Sequence, residues 1–313
     1  MESPALPQLA ELVQAGDDSL HSWVRDRFST EQRQLALTEQ LRFWLKTAAC
    51  DLDWATKFKT NSPPVGEPAD SYLAKWLPLD RGGHVLVGPR YWGLDPHRPF
   101  VGVAASDRPL VPDDRESLIR IAQERYGAFK PGFVKISSPE PVGVWAKTLP
   151  GKRLVAGLVG DLRDRATPPA LSTALRSDTA YYEQYEAIHA THVRLDPQHA
   201  TYSHCEERSD LQDLAERGLV FDVLVSGVWA GLLAAQPDIA EGMSGATVVE
   251  LILDHPYRQR GFGAALSGLL AKAIDMPAEQ ALFGTIHYEN RPAYRAALAA
   301  GRVDIGGDIL IPV

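Results

Sequence analysis

Apolar positions three and four residues apart dominate the start of the chain. Leu6, Leu9, Leu12 and Val13 predict a first helix. Residues 30–59 read as one long amphipathic run carrying Leu35, Leu37, Leu41, Phe43, Leu45, Leu52, Trp54 and Phe58. Trp44, Trp54 and Phe58 suit core packing better than the wall of a pocket, because large aromatic rings contribute most when buried. A Pro- and Gly-containing loop, residues 61–68, follows, and from Gly83 the period shortens. Residues 84–87 and 99–105 read as strands, 113–129 as a helix and 132–137 as a strand. Residues 142–158 predict further strands with a hairpin turn at Pro150-Gly151, and the charged, Pro-containing stretch 163–169 reads as a linker.

In the second half, residues 177–193 and 209–217 read as helices, the latter ending at Gly218 with a basic last turn. Strands over 220–225 and 228–234 are joined at Ser226-Gly227, a short turn suited to a hairpin. The β-branched run 248–253 predicts a buried strand, 258–263 a loop and 264–274 a helix. A strand over 281–287, a helix over 292–300 with Pro292 in its first turn, and a hairpin over 303–313 around Gly306-Gly307 complete the chain. The order strand, helix, strand in 101–137 echoes that in 248–288. The expectation is an α/β chain with mixed sheet, split into domains 1–165 and 170–313, the first a degenerate copy of the second.

Composition narrows the function classes. A chain of 313 residues is long enough for two cores, and 45% hydrophobic with 23% charged residues is the balance of a globular protein in water. With 40 acidic against 32 basic residues the net charge is −8, which argues against nucleic acid or an anionic membrane as partner and suits an amine-bearing one. No signal peptide or run of about 20 apolar residues is evident. Two cysteines, Cys50 and Cys205, make no disulfide framework, so a cytoplasmic location is expected. His189, His192, His199, His204 and Cys205 crowd together but follow no standard metal spacing, and no metal is expected.

The loop at 258–263 carries the chemistry. Gly261 and Gly263 let the backbone approach a ligand, the helix behind them presents unpaired N–H groups, and Arg258 and Arg260 add positive charge, a combination suited to phosphate. A Rossmann fingerprint would need a third glycine where Leu266 stands, and a Walker loop would need Gly-Lys-Ser/Thr; both are absent.

Arg258-Gln259-Arg260-Gly261-Phe262-Gly263 resembles the acyl-CoA loop of the GCN5-related N-acetyltransferase (GNAT) family. The family's second pattern, Asn-x-x-Ala followed by Tyr and Gly, is met by Asn290, Ala293 and Gly301, with Ala297 where the tyrosine would stand. The resemblance covers about residues 180–313. It implies the GNAT fold, acetyl-CoA as acyl donor, and a cofactor site of Leu253, Arg258, Gln259, Arg260, Gly261, Phe262, Gly263, Ala264 and Asn290. Pantetheine would enter a V-shaped split between the strand ending at Leu253 and that ending near Tyr288, with N–H groups near Leu253 facing the thioester oxygen. The first helices would form the acceptor wall, making His189, His192, Tyr202 and His204 candidates for substrate contact.

A base must take the proton of an attacking amine, and Glu250, a carboxylate inside an apolar strand, is the first candidate. Tyr294, one turn before Ala297, is the candidate acid, with His287 and Tyr288 behind it. The expected activity is acetyl transfer to a primary amine of a small molecule by a cytoplasmic enzyme, with a homodimer as the candidate assembly. The alternatives are a non-catalytic acyl-CoA-binding module and a transferase of the same fold that uses aminoacyl-tRNA.

Overall fold

A computed structural model describes residues 7–60 and 66–313 of the chain. Leu6 and residues 61–65 of the expected loop lie outside the described residues. The chain divides into two compact units: Met1–Gly151 with Ala240–Met243 and Gly306–Val313, and Lys152–Ile239 with Ser244–Ile305. Among the described residues no helix is long and apolar enough to cross a membrane.

The first unit opens with helices α1 (Leu9–Asp18), α2 (Ser22–Arg27), α3 (Thr30–Phe43) and α4 (Leu52–Thr60). Ser29 and Gln32 form a reciprocal capping box that starts α3. The buried Arg33 grips Asp17 through Nε (2.6 Å) and Nη2 (3.0 Å) and so locks α3 to α1. The long helix expected over 30–59 is broken: a π turn spans Trp44–Ala48, and Asp51 accepts a hydrogen bond from the Trp54 N–H (2.9 Å) to start α4 afresh. Strands β1 (Lys75–Pro78), β2 (His84–Tyr91), β3 (Pro99–Ser106) and β4 (Phe133–Ser138) follow, with helix α5 (Arg115–Tyr126) between β3 and β4. β2 pairs antiparallel with β3, and β3 parallel with β4, so α5 is a crossover. Val85, Val87, Val101, Val134 and Ile136 from the strands meet Leu118, Ile121, Ala122 and Tyr126 of α5 in its core.

The second unit takes in β5 (Leu149–Leu158) from Lys152 on, and then α6 (Val159–Arg163), β6 (Leu171–Arg176), α7 (Tyr182–Leu195), α8 (His199–Tyr202), α9 (Arg208–Glu216), β7 (Val220–Val225), β8 (Val228–Ala240), β9 (Met243–Leu253), α10 (Leu266–Ala273), β10 (Ala281–His287) and α11 (Arg291–Ala299). Its strand order is β5-β10-β9-β8-β7-β6. Alternate residues of β7 and β8 point to opposite faces. Val223, Leu233 and Ala235 meet α6 and α10, whereas Val220, Leu232 and Ala234 meet α7 and α9. The expected hairpin at Ser226-Gly227 is present, with both residues at positive φ (50° and 81°) as a primed turn requires.

Two expected turns are corrected. Pro150-Gly151 is no turn: β5 runs straight through it, and the glycine is required because a Cβ there would lie 2.7 Å from that of Asp308. Gly306-Gly307 likewise lies inside one continuous strand, β11 (Val303–Pro312); the two glycines take φ values of 128° and 153°, and at Gly306 a Cβ would lie 2.5 Å from the Ser138 carbonyl oxygen. The division between units falls after Gly151, ahead of the expected linker at 163–169, and the last eight residues belong to the first unit. Strands β1 and β6 were not foreseen.

Candidate active site

β9 and β10 pair in parallel only over Ala281↔Gly245, Leu282↔Ala246 and Phe283↔Thr247, and Val248–Leu253 and Gly284–His287 continue past the last pair. Side chains on β9 shift register near its middle. Ala246 and Val248 face the α6/α10 cluster, but so do Leu251 and Leu253, leaving Val249 and Ile252 to the α7/α9 cluster. Two neighbours on one face in place of strict alternation is the mark of a local bulge.

Glu250 sits at this irregularity, 13% exposed. Its Oε2 accepts from the Tyr185 hydroxyl (2.8 Å) and lies 3.2 Å from His189 Nε2, while Oε1 accepts from the Leu251 N–H (2.8 Å). The Tyr185 oxygen in turn accepts from the Glu206 N–H (2.9 Å). Burial and the nearby Glu250 push the Glu206 carboxyl above the usual range. Burial, and then Glu250, also push the Tyr185 phenol far up, so it stays protonated and donates.

The histidines form an aromatic train. His189 meets Tyr185 edge-on (4.8 Å between ring centres), His192 meets His199 (5.1 Å), His199 meets Tyr202 (5.3 Å), and Tyr202 stacks on His287 (5.7 Å). Burial, with Arg258 second, drives the His192 pKa down to about 3. Arg258 Nη2 donates to His192 Nδ1 (2.9 Å), so the neutral ring carries its proton on Nε2, a buried atom with no hydrogen-bond partner among the described residues. His204 stands exposed. Among the described residues no group of three or more His, Cys, Asp or Glu is placed to hold a metal ion. Of the acceptor-wall candidates, His189, His192 and Tyr202 come together with Glu250 and His287.

The loop after β9 holds the remaining candidates. Gln259 and Gly261 adopt positive φ (59° and 80°), reversing the chain before a short 3-10 turn, Phe262–Ala265, that leads into α10. Gln259, Arg260 and Gly261 are exposed, Gly263 and Ala264 half-buried, and Phe262 packs on the core. Arg258 is exposed as well but reaches back with its guanidinium, Nε donating to the Leu253 carbonyl (3.0 Å), whereas Arg260 lies over the Tyr257 ring (5.8 Å). Asn290 caps α11 by accepting from the Ala293 N–H (3.3 Å), which gives the Asn-x-x-Ala spacing a structural meaning.

Tyr294 donates to Asp304 Oδ2 (2.6 Å), and Asp304 is gripped by Arg153 through Nε (3.0 Å) and Nη2 (2.8 Å). Burial and this carboxylate raise the Tyr294 phenol to about 12. Arg291 covers the Tyr288 ring at 3.8 Å. Sequence reasoning missed Tyr185, Glu206, Arg153 and Asp304. The signal for Tyr185 was the stripe Tyr185, His189, His192, spaced four and three on α7.

No protein-family model matches the chain, and no curated protein matches it. Among solved structures it is similar to a GNAT-family acetyltransferase from Colwellia psychrerythraea, at TM-score 0.50 and 12% identity over 100% of this chain and 99% of that one. It is also similar to GCN5-related N-acetyltransferases from Sphaerobacter thermophilus (TM-score 0.49, 13% identity, 97% and 92% covered) and Kribbella flavida (0.44, 15%, 85% and 96%).

Proposed function

We propose that this chain, which has the mixed α/β fold of the GCN5-related N-acetyltransferases, transfers acetyl from acetyl-CoA to a primary amine of a small molecule by direct attack. The observation that carries the reading is one strand, β9, with a carboxylate at its irregularity and a glycine loop at its end. Glu250 and the Gln259–Gly263 reversal are thereby separated by only the eight residues 251–258.

In this reading the loop amides from Arg260 to Ala264, the Arg260 side chain and the start of α10 bind the pyrophosphate, and the divergence of β9 from β10 receives pantetheine. The N–H of Leu253 faces the thioester oxygen and stabilises it as charge develops there. The amine nitrogen attacks the acyl carbon, a C–N bond forms and the C–S bond breaks. Glu250, held by Tyr185 and Leu251, takes the ammonium proton, either directly or through His189.

The departing thiolate takes a proton from Tyr294, which must first leave Asp304; its high pKa keeps that proton available at neutral pH. Asn290 orients α11 beside the cofactor. The parallel strand, crossover helix, strand unit β3-α5-β4 repeats β9-α10-β10, which supports reading the first unit as a degenerate copy that binds no CoA.

Calorimetric titration with acetyl-CoA, beside the double variant Gly261→Glu and Gly263→Glu, tests this. Binding by the wild type that the variant loses is expected, followed by thiol release in an amine screen. Binding without turnover of any amine would favour a non-catalytic acyl-CoA module, and no binding at all would end the reading.

A further inference from the structure

We propose that the first unit binds a small organic monocarboxylate on the guanidinium of Arg90, against the rings of Trp44, Trp54 and Phe58. The site is independent of the acyltransfer reading, since it involves neither the donor loop nor Glu250.

Arg90 lies near the end of β2 with its Cζ 4.8 Å from the ring centre of Trp44, 5.3 Å from Trp54 and 5.8 Å from Phe58. Trp54 and Phe58, one turn apart on α4, stack at 5.1 Å and 10° and make a flat, stiff wall. Trp44 is placed by the π turn: the Ala49 N–H bonds the Trp44 carbonyl (2.9 Å), and Ala74 ties the end of that turn to the sheet through the Ala48 carbonyl (2.7 Å). π turns recur at functional sites because they cost stability where they stand. On the strand itself Gly88 leaves room, since a Cβ there would lie 3.2 Å from Arg90 Nη1.

Among the described residues no anion compensates the guanidinium. Nη1 donates to the Pro89 carbonyl (2.6 Å), while Nη2 is buried with no hydrogen-bond partner among the described residues. Arg33 and Arg153 show what that side of the fork does elsewhere in this protein: each uses Nε and Nη2 together to hold one aspartate. In Arg90 the same edge meets no carboxylate among the described residues. Desolvation lowers its pKa to about 10, so the group remains cationic at neutral pH. Ring faces attract a guanidinium, but a charge withdrawn from water is ordinarily paired as well.

The geometry selects the ligand class. The Nε/Nη2 edge offers two parallel N–H groups at the spacing of two carboxylate oxygens, one positive charge matches one negative, and the ring walls match a flat apolar body.

The test follows tryptophan fluorescence and heat on titrating the full-length protein with acetate, phenylacetate and indole-3-acetate, with phenylacetamide as the neutral counterpart. A saturable response to an arylacetate is expected. It should weaken about tenfold or more for the amide and for Arg90→Met, with Arg90→Lys between, because Lys keeps the charge but not the fork. Arg90→Met should melt no lower than wild type, since it removes an unpaired buried charge. No saturable signal with any of the three acids, equal binding of acid and amide, or unchanged binding by Arg90→Met would overturn the proposal. Should Arg90→Met fail to fold, the lysine variant and the acid-to-amide comparison decide.

Discussion

Glu250 holds three partners at once, the Tyr185 hydroxyl, the His189 ring and the Leu251 N–H, and each has a separable consequence. Glu250→Gln keeps the size and an acceptor oxygen but cannot take a proton. With Glu250 as base, the rate of amine acetylation should fall about 100-fold or more, the usual worth of a positioned base, with the melting temperature little changed. A rate within twofold of wild type would remove Glu250 from the chemistry. Tyr185→Phe instead orphans the Glu206 N–H and leaves Glu250 Oε2 with His189 alone, and should cost about 1–3 kcal/mol in denaturant unfolding.

His192 adds a pH dependence. Its folded pKa, about 3, lies below the ordinary value of 6.5, so the unfolded chain binds the extra proton first. The contribution is fully present above pH 6.5 and is lost as pH falls toward 3, at up to about 1.4 kcal/mol per pH unit for one proton. His192→Gln should therefore flatten the acid limb of stability measured between pH 7 and 4, and an unchanged limb would show that His192 does not titrate as described. At this scale the sequence exposed Glu250, because a carboxylate amid branched apolar residues is conspicuous. It could not expose Tyr185 or His189 as its partners, which stand 65 and 61 residues away and meet it only once α7 has docked.

Among the elements, those whose pattern is local were legible. Ala281–His287 matches its expected bounds, and the Ser226-Gly227 turn and the strand, loop, helix order around Gly261 stand where the periodicity put them. The errors share one cause: a glycine can mark a turn or a close approach of two strands, and sequence alone does not say which. Gly151 and Gly306 are close approaches, as is Gly245, where a Cβ would stand 1.9 Å from the Ala281 carbonyl oxygen. Gly245 opens the short parallel ladder from which β9 and β10 diverge. Gly245→Ala should thus force the base of that ladder apart and cost about 1–3 kcal/mol, the usual penalty of overpacking, and, on the proposed acyltransfer reading, acetyl-CoA affinity should fall in step. Stability and affinity both equal to wild type would mean that the ladder yields more easily than its geometry indicates. The π turn at Trp44–Ala48 was invisible for a related reason: its residues continue the helical period, and only the hydrogen-bond ladder slips by one.

For the whole molecule, the two units do not follow a single cut in the sequence. β10 takes its antiparallel partner from β5, pairing from Ala281↔Leu158 to His287↔Lys152, and Asp304 takes its partner Arg153 from the same strand. The last residues of the chain meanwhile serve the first unit, where β11 pairs with β4 from Gly307↔Ser138 to Pro312↔Phe133 and buries Ile309 and Ile311. A fragment of residues 170–313, the division suggested by the charged 163–169 stretch, therefore lacks β5 and leaves the edge of β10 bare. Exposed edges of this kind drive association between chains. That fragment should aggregate or melt without cooperativity, whereas residues 152–313 should fold and melt in one transition. Removing residues 306–313 from the full chain should strip two core isoleucines from the first unit, at about 2–5 kcal/mol each, a loss comparable to the stability of a whole domain. Calorimetry on the two fragments and the truncated chain separates these cases, because one strand, not the linker, then decides which pieces stand alone. A cooperative melt of residues 170–313 at the midpoint of the longer fragment would show that β5 is dispensable and return the boundary to the linker.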